Sequence, residues 1–133
     1  MAKIQRLEAL IEALSEQFNG IIAACAVVSR LGQGDLLYET HLGGIDPTFL
    51  STVISSVLLI GERLGHELNG HDVHYTLIDY GQCAALVVPC SEEVALLLVL
   101  KDSAGREAVI GAAREAARNI WELLGNKSAG LEM

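Results

Sequence analysis

The sequence predicts a single domain of the α/β (α+β) class, with element order α-β-β-α-β-β-β-α and helices packed on a sheet. Its 133 residues suit one domain that buries its own core. Hydrophobic residues make up 51% of the chain and aromatic residues 5%. The core must therefore consist mainly of Ala, Val, Leu and Ile, which favours dense packing of helices on a sheet.

The chain begins with an amphipathic helix that Asn19-Gly20 ends. Its apolar stripe is Ile4, Leu7, Leu10, Ile11, Leu14 and Phe18. Residues 21–29 are apolar at both alternating positions, which is typical of a central strand covered on two faces. A glycine-bearing turn, residues 30–35, then leads to a return strand over Leu36–Thr40.

The second helix is long and carries more apolar surface than one contact needs. Asp46 supplies a capping side chain and Pro47 suits the first turn. Projected at about 100° per residue, apolar positions fill half the circumference: Phe49, Leu50, Val53, Ile54, Val57, Leu58, Ile60, Gly61, Leu64, Gly65 and Leu68. The other half is mostly polar: Ser51, Thr52, Ser55, Ser56, Leu59, Glu62, Arg63 and His66.

Three strands joined by short linkers follow, at residues 73–79, 83–89 and 94–100. The first alternates polar and apolar residues and is predicted at a sheet edge, whereas the last is apolar throughout and is predicted in the middle. A final amphipathic helix spans residues 105–124. We expect one domain over 1–125 and a flexible tail over 126–133.

Charge and composition exclude several classes of protein. The formal charge is -8, from 17 acidic against nine basic residues, and no basic patch exists for nucleic acid or an anionic membrane. The odd cysteine count argues against a disulfide framework, and no apolar run approaches the ~20 residues that span a bilayer. We therefore expect a cytoplasmic protein without membrane insertion.

No motif indicates catalysis, a cofactor or a metal. The stretch HELNGH misses the HExxH pattern because His71 lies five positions after His66, and a site built from these with His74 lacks an evident second shell. Cys83 and Cys90 are seven apart and point to opposite strand faces. Cys25 has no base nearby in sequence. We predict no catalytic residue, cofactor or metal site.

The order of elements, with GIIAACAVVSR, a helix ending in GERLG, VHYTLIDYGQCAALVVPC and EVALLLVL, resembles the Roadblock family. The resemblance covers residues 4–124 and is closest to prokaryotic, GTPase-associated members, because a long helix follows the last strand. It implies a Roadblock-like (profilin-like) domain whose five-stranded antiparallel sheet has one helix on one face and two on the other. It also implies a homodimer in which the edge strands pair and the long helices lie side by side.

The resemblance and the surplus apolar arc together define candidate interface residues. The arc's centre, around Leu50, Val57 and Leu64, should face the sheet of its own chain. One flank, either Phe49, Val53 and Ile60 or Ile54, Leu58 and Gly61, should meet the mate, and we favour the second since Gly61 and Gly65 allow close approach. The predicted dimer interface is Ile54, Leu58, Gly61, Gly65, Val73, His74, Tyr75, Thr76 and Leu77.

The Roadblock resemblance implies a small Ras-like GTPase as the partner, and the first hypothesis is therefore a non-enzymatic regulatory adaptor. The residues that would contact the GTPase are Ser55, Leu59, Glu62, Arg63 and His66, unless they form only a solvated face. Arg63 is the only arginine on the long helix. The alternatives are a purely structural dimerisation module in a larger assembly and, less favoured, a small-molecule sensor.

Overall fold

The computed structural model describes residues 2–30, 36–70, 72–101 and 105–125. The predicted turn at 31–35, the predicted tail at 126–133 and His71 lie outside the described residues. The helices are α1 (Lys3–Gln17), α2 (Pro47–Glu67) and α3 (Arg106–Ile120), and α3 continues into a π-helical turn, Trp121–Gly125. The strands are β1 (Ile22–Ser29), β2 (Leu36–Thr40), β3 (Thr76–Asp79), β4 (Ala84–Pro89) and β5 (Val94–Leu100).

The five strands form one antiparallel sheet in the order β2-β1-β5-β4-β3. The apolar strand β5 lies in the middle and the half-exposed β3 lies at an edge, so both predictions are confirmed. β3 is shorter than predicted, because residues 73–75 precede the ladder that begins with Thr76 opposite Val87. Pro89 is the last residue of β4, where its missing amide hydrogen removes no central hydrogen bond.

The sheet separates two hydrophobic clusters, as expected for one helix on one face and two on the other. The larger cluster joins α1 and α3 to the face of Val27, Leu86 and Leu96. The smaller joins α2 to the opposite face, and its buried members are Ala26, Val28, Leu50, Ile54, Leu58, Val87, Ala95 and Leu97. Side chains of one strand alternate between the clusters, as the pleat requires.

Helix α2 begins and ends at the residues that the sequence indicated. The Asp46 carboxylate accepts a hydrogen bond from the Phe49 amide at 3.2 Å, and Pro47 occupies the first turn. At the other end Asn69 has φ of 58°, and the Gly70 amide donates to the Gly65 carbonyl at 2.7 Å. This turn satisfies one of the carbonyls left free at a helix end.

Two serine hydroxyls bind α2 to the end of β1. The Ser51 hydroxyl donates to the Ser29 carbonyl at 2.5 Å, and the Ser55 hydroxyl donates to the Arg30 carbonyl. Ser51 is fully buried, although helical projection assigned it to the polar half. A buried hydroxyl is tolerated here because it is hydrogen-bonded. The two bonds fix the helix relative to β1.

Replacing Ser51 with alanine should therefore lower stability. The variant removes the hydroxyl donor of a buried hydrogen bond, at a cost of about 1–3 kcal/mol. Ser56→Ala is the matched control, because the Ser56 hydroxyl only bonds the Thr52 carbonyl on the exposed helix surface. Denaturant unfolding monitored by circular dichroism measures both. Equal stability of the two variants would contradict the role given to Ser51.

Among the described residues, α2 is the one helix with the length and apolarity of a membrane span. It has 21 residues and a mean hydropathy of 1.3 in its most apolar window, of which 22% is buried. The sequence analysis expected no such segment. The helix nevertheless lies on the sheet and carries Glu62 and Arg63 on its exposed side. A membrane span therefore does not explain why much of the apolar surface of α2 is exposed.

Candidate functional site

The face of α2 that contacts its own sheet differs from the predicted one. Leu50, Ile54 and Leu58 are 8%, 2% and 0% exposed and pack against β1, β4 and β5. The prediction that Ile54 and Leu58 meet a second copy is therefore wrong: one chain already buries them, so they have no apolar surface left to offer. Of the two flanks that were considered, the one with Phe49, Val53 and Ile60 is the one that remains exposed.

An apolar stripe runs along the outer side of α2. Its members are Phe49, Val53, Ile60 and Leu64 on the helix and Leu68 directly after its end, with exposed fractions of 61%, 39%, 67%, 58% and 69%. Leu64 was predicted to face its own sheet and instead lies in the stripe, whereas Val57 is half-buried. Adjacent exposed apolar side chains on one helix face are uncommon on a monomer and typically mark an interaction site.

The glycines of α2 accommodate neighbouring parts of the same chain. A Cβ atom on Gly61 would lie 3.2 Å from Val73 Cγ2, which is a tight contact. Gly65 receives the Gly70 amide through its carbonyl at 2.7 Å. The close approach that was predicted for a mate's helix is thus made by Gly70 and Val73 of the same chain. Whether Gly61 and Gly65 also meet a mate stays a prediction.

The predicted partner-binding residues divide into two groups. Ser55 and Glu62 are engaged within the chain: the Ser55 hydroxyl donates to the Arg30 carbonyl, and Glu62 Oε2 lies 2.7 Å from the Arg30 guanidinium. Leu59, Arg63 and His66 are exposed and lie together on the outer helix surface. The second group is the part of the predicted face that the structure leaves open to a partner.

The edge-strand part of the predicted interface lies beside β3. Thr76 and Leu77 belong to this strand, which pairs with β4 on one side and has no strand on the other in the described sheet. Val73, His74 and Tyr75 precede it without regular secondary structure, and Tyr75 is 41% exposed. An unpaired strand edge presents backbone donors and acceptors to a second strand. Pairing between copies at this edge stays a prediction.

The residues that suggested metal or thiol chemistry do not come together within the described ranges. No group of three His, Cys, Asp or Glu side chains there could hold a metal ion. The cysteines are free thiols, with Cys25 and Cys90 buried. Burial raises the pKa of Cys90 to about 12, although Arg30 opposes the shift. A thiol with this pKa is protonated near neutral pH and is a poor nucleophile.

Two other pKa shifts reflect local contacts. The pKa of the Asp79 carboxyl is lowered, first by the hydrogen bond from the Gly81 amide at 2.8 Å and then by Arg106, 3.3 Å away. Burial and the neighbouring Glu12 carboxylate raise the pKa of the Tyr38 phenol. Both groups stabilise loops and helix packing, and neither lies at the exposed face of α2.

Sequence reasoning missed two residues at the sheet end, Arg30 and Trp121. The Arg30 side chain is 11% exposed and donates to the Ser91 carbonyl at 2.8 Å, which joins β1, α2 and the β4-β5 hairpin. Trp121 is 41% exposed on the π-helical turn. Two features of the sequence could have identified them. Arg30 follows directly after a strand that is apolar on both faces, and Trp121 is the chain's only tryptophan, in a segment of helix-favouring residues.

The sheet order, the helix layers and the long outer helix define a Roadblock-type fold. The MglB gliding protein from Thermus thermophilus matches with a TM-score of 0.78 and 15% identity, covering 95% of this chain and 93% of that one. Myxococcus xanthus MglB matches with a TM-score of 0.75 and 16% identity, covering 93% and 94%. A Roadblock/LC7 domain from Streptomyces avermitilis has a TM-score of 0.72 and 13% identity, covering 86% and 94%.

These similarities establish the fold, since all three structures are less than 25% identical to this chain. No protein-family model matches the sequence, and no curated protein matches it. The predicted Roadblock-like architecture, with its likeness to the prokaryotic MglB type, is confirmed at the level of structure. Function has to be argued from the exposed surfaces.

Proposed function

We propose that this protein is a non-enzymatic regulatory adaptor that acts in the cytoplasm as a homodimer and binds a small Ras-like GTPase. The observation that carries the proposal is the apolar stripe on α2, in a fold shared with MglB. The Roadblock resemblance associates prokaryotic members with such GTPases. Fold likeness alone is an analogy, so the surfaces must supply the physical argument.

The dimer in this proposal uses the apolar stripe and the free edge of β3. Ile60, Leu64 and Leu68 are each more than half exposed, so a second copy would remove substantial apolar area from water. In a symmetric dimer the same patch meets its own copy, which suits a stripe on one helix. The edge residues Thr76 and Leu77 would add backbone hydrogen bonds between sheets.

The GTPase in this proposal contacts the exposed group Leu59, Arg63 and His66. This group borders the stripe on the outer surface of α2, since Arg63 lies three positions after Ile60 and directly before Leu64. In the proposed arrangement the GTPase contacts the part of this surface that the dimer leaves exposed. Arg63 is exposed and suits a carboxylate on a partner. The protein would alter the nucleotide cycle by ordering the switch loops of the GTPase or by supplying Arg63 to the transferred phosphate.

Substitution of Arg63 tests this face. We expect Arg63→Glu to weaken GTPase binding by at least about tenfold, because a charge reversal at an interface replaces attraction with repulsion. Arg6→Glu, an exposed arginine on α1, is the matched control and should leave binding unchanged. Titration calorimetry with the GTPase bound to a non-hydrolysable GTP analogue measures both. Unchanged binding of the Arg63 variant would contradict the proposed face.

The rate of GTP hydrolysis separates the two mechanisms. The GTPase is saturated either with the unchanged protein or with the Arg63→Ala variant. A rate of GTP hydrolysis that is about 10³-fold or more lower with the variant would support an arginine supplied in trans. Unchanged turnover would remove that version and leave ordering of the switch loops. The Arg6→Ala variant is the control for loss of a positive charge.

The second candidate function is a structural dimerisation module without effect on turnover. The observation that favours it is that Ser55 and Glu62 are engaged within the chain, which leaves a smaller exposed face for a partner. A protein that dimerises normally and binds no small GTPase in either nucleotide state would support this candidate over the first.

A further inference from the structure

The sheet has an uneven end where β4 extends beyond β3. The β3-β4 ladder stops at Thr76 opposite Val87, while β4 continues to Pro89. Residues 72–75 do not continue the ladder, so within the described sheet Val88 and Pro89 pair with β5 alone. This leaves room beside the last residues of β4, and cavities lie on both sides of them.

Two cavities adjoin each other at this end of the sheet, because four residues line both of them, and we call the two together the end groove. One, of about 580 Å³, opens on the side of α2, and the other, of about 320 Å³, opens on the side of α3. They share the same central wall: Val73, Pro89, Cys90 and Trp121. The end groove therefore crosses the sheet end from one layer of helices to the other, over a partly apolar wall.

The half of the end groove on the α2 side is acidic. Among the described residues that line it, the carboxylates are Glu62, Asp72, Glu92 and Glu93, and the only cation is Arg30. That guanidinium already binds Glu62 at 2.7 Å and the Ser91 carbonyl at 2.8 Å. The remaining carboxylates give this half an excess of negative charge, which favours a cationic occupant.

The half on the α3 side has the opposite charge. Arg114 and Arg118 line it together with His74, and the lining residues that the structure describes include no carboxylate. Arg118 lies 3.4 Å from Glu115, but both side chains are mostly exposed, so this pair is weak. An occupant with a negative charge at this end is therefore favoured. The two halves together select for charges separated along the occupant.

Two further features fit a peptide. Arg30 lines the groove, and its Nε atom is buried and has no hydrogen-bond acceptor among the described residues, which costs free energy. Trp121 is 41% exposed where the two halves meet, and its ring offers a surface for a Lys or Arg side chain. A small apolar ligand fits poorly, because such ligands occupy enclosed, mostly apolar pockets.

We propose that the end groove binds an extended peptide segment of a partner protein, with basic residues at one end and acidic residues at the other. The basic end lies among Asp72, Glu92 and Glu93, and the acidic end lies beside Arg114 and Arg118. Main-chain groups and the Trp121 ring contribute affinity that is independent of sequence, while the charges set direction and specificity. This inference goes beyond the proposed GTPase function and does not depend on it.

The test starts with selection from a phage-displayed random-peptide library on the purified full chain. Enriched peptides are synthesised with a fluorescent label, and affinities are measured by fluorescence anisotropy. We expect enriched sequences to separate basic from acidic residues. Glu92→Lys/Glu93→Lys and Arg114→Glu/Arg118→Glu should each weaken binding by at least about tenfold. All four residues are exposed, so both variants should fold, which circular dichroism verifies.

Two controls make the result specific to the end groove. Glu12→Lys/Glu16→Lys on α1 changes the net charge by the same amount outside the groove and should alter affinity by less than about twofold. A peptide whose basic end is made acidic should regain affinity for the Glu92→Lys/Glu93→Lys variant. Val73 and His74 are left unchanged because they also belong to the proposed dimer interface.

Three outcomes would overturn the proposal. The first is that no charge-separated peptides are enriched. The second is that selected peptides bind both charge-reversed variants as tightly as the unchanged chain. The third is that light scattering shows self-association of the unchanged chain but not of the Glu92→Lys/Glu93→Lys variant. The occupant of the end groove would then be a second copy of this chain. The GTPase assays on α2 variants are independent, so either proposal can fail alone.

Discussion

The Leu58→Asp variant should fail to fold, whether or not the protein forms a dimer. Leu58 is fully buried between α2 and the sheet, where it packs with Leu50 and Ile54. Deleting a buried leucine side chain costs about 2–5 kcal/mol. A buried, unpaired carboxylate adds several kcal/mol more. The sum is comparable to the whole stability of a typical domain, about 5–15 kcal/mol.

Thermal unfolding by calorimetry and far-ultraviolet circular dichroism measure this effect. Ile60→Asp is the matched control, because Ile60 lies two positions further along the same helix and is 67% exposed. We expect a cooperative transition for the control and none, or a transition lowered by tens of degrees, for Leu58→Asp. A Leu58→Asp protein that melts like the control would show that α2 does not pack on the sheet as described.

The Ile60→Asp/Leu64→Asp variant should remain folded and become monomeric. Both side chains belong to the apolar stripe and are 67% and 58% exposed, so the single chain does not need them for its core. In the proposed dimer each copy would bury two new charges at the helix-helix contact. If each of the two positions loses at least about 2 kcal/mol of binding free energy, the dissociation constant of the dimer rises by two orders of magnitude or more.

Sedimentation velocity over a range of protein concentrations measures this change. Ala9→Glu/Ala13→Glu on α1 adds the same charge at exposed positions outside the stripe and should leave the dimer intact. If the double variant on α2 dimerises as tightly as the control, the stripe is not the interface. An unchanged chain that is monomeric at micromolar concentration would contradict the dimer itself.

The strand order illustrates what the sequence could predict. The run VALLLVL has no polar position and is the central strand β5, whereas the alternating segment near Thr76 is the edge strand β3. A strand that is buried on both faces has apolar residues at every position, whereas a strand with one exposed face alternates polar and apolar residues. The number of buried faces can therefore be predicted from the sequence. The ends of α2 could also be predicted, because Asp46, Pro47 and Asn69 begin or end the helix through local contacts and local backbone angles.

The contact face of α2 could not be predicted in the same way. Periodicity defines an apolar arc on a helix, but it does not say which part of the arc, or of the helix length, covers the sheet. The helix is about 30 Å long, and its buried residues all lie between Leu50 and Leu58. The later turns, with Leu64 and Leu68, therefore keep their apolar side chains exposed. The choice of Leu58 for the mate failed for this reason.

Contacts between distant residues were also invisible. Helical projection placed Ser51 on the polar half of α2, yet its hydroxyl is buried against the Ser29 carbonyl. Arg30 and Glu62 are 32 residues apart in the sequence. They form an ion pair only because the fold places the end of β1 beside α2. A polar residue on a helix thus has two possible environments, solvent or a specific partner, and local sequence does not distinguish them.

The proposed regulatory function is tested most directly by binding between the purified protein and the small Ras-like GTPases of its own cell. Size-exclusion chromatography with light scattering, in the presence of GDP or a non-hydrolysable GTP analogue, reports both the dimer and the complex. The account predicts a dimer that binds one of these GTPases more tightly in one nucleotide state, and loses it on Arg63→Glu substitution. A protein that elutes apart from every such GTPase in both states would contradict the account.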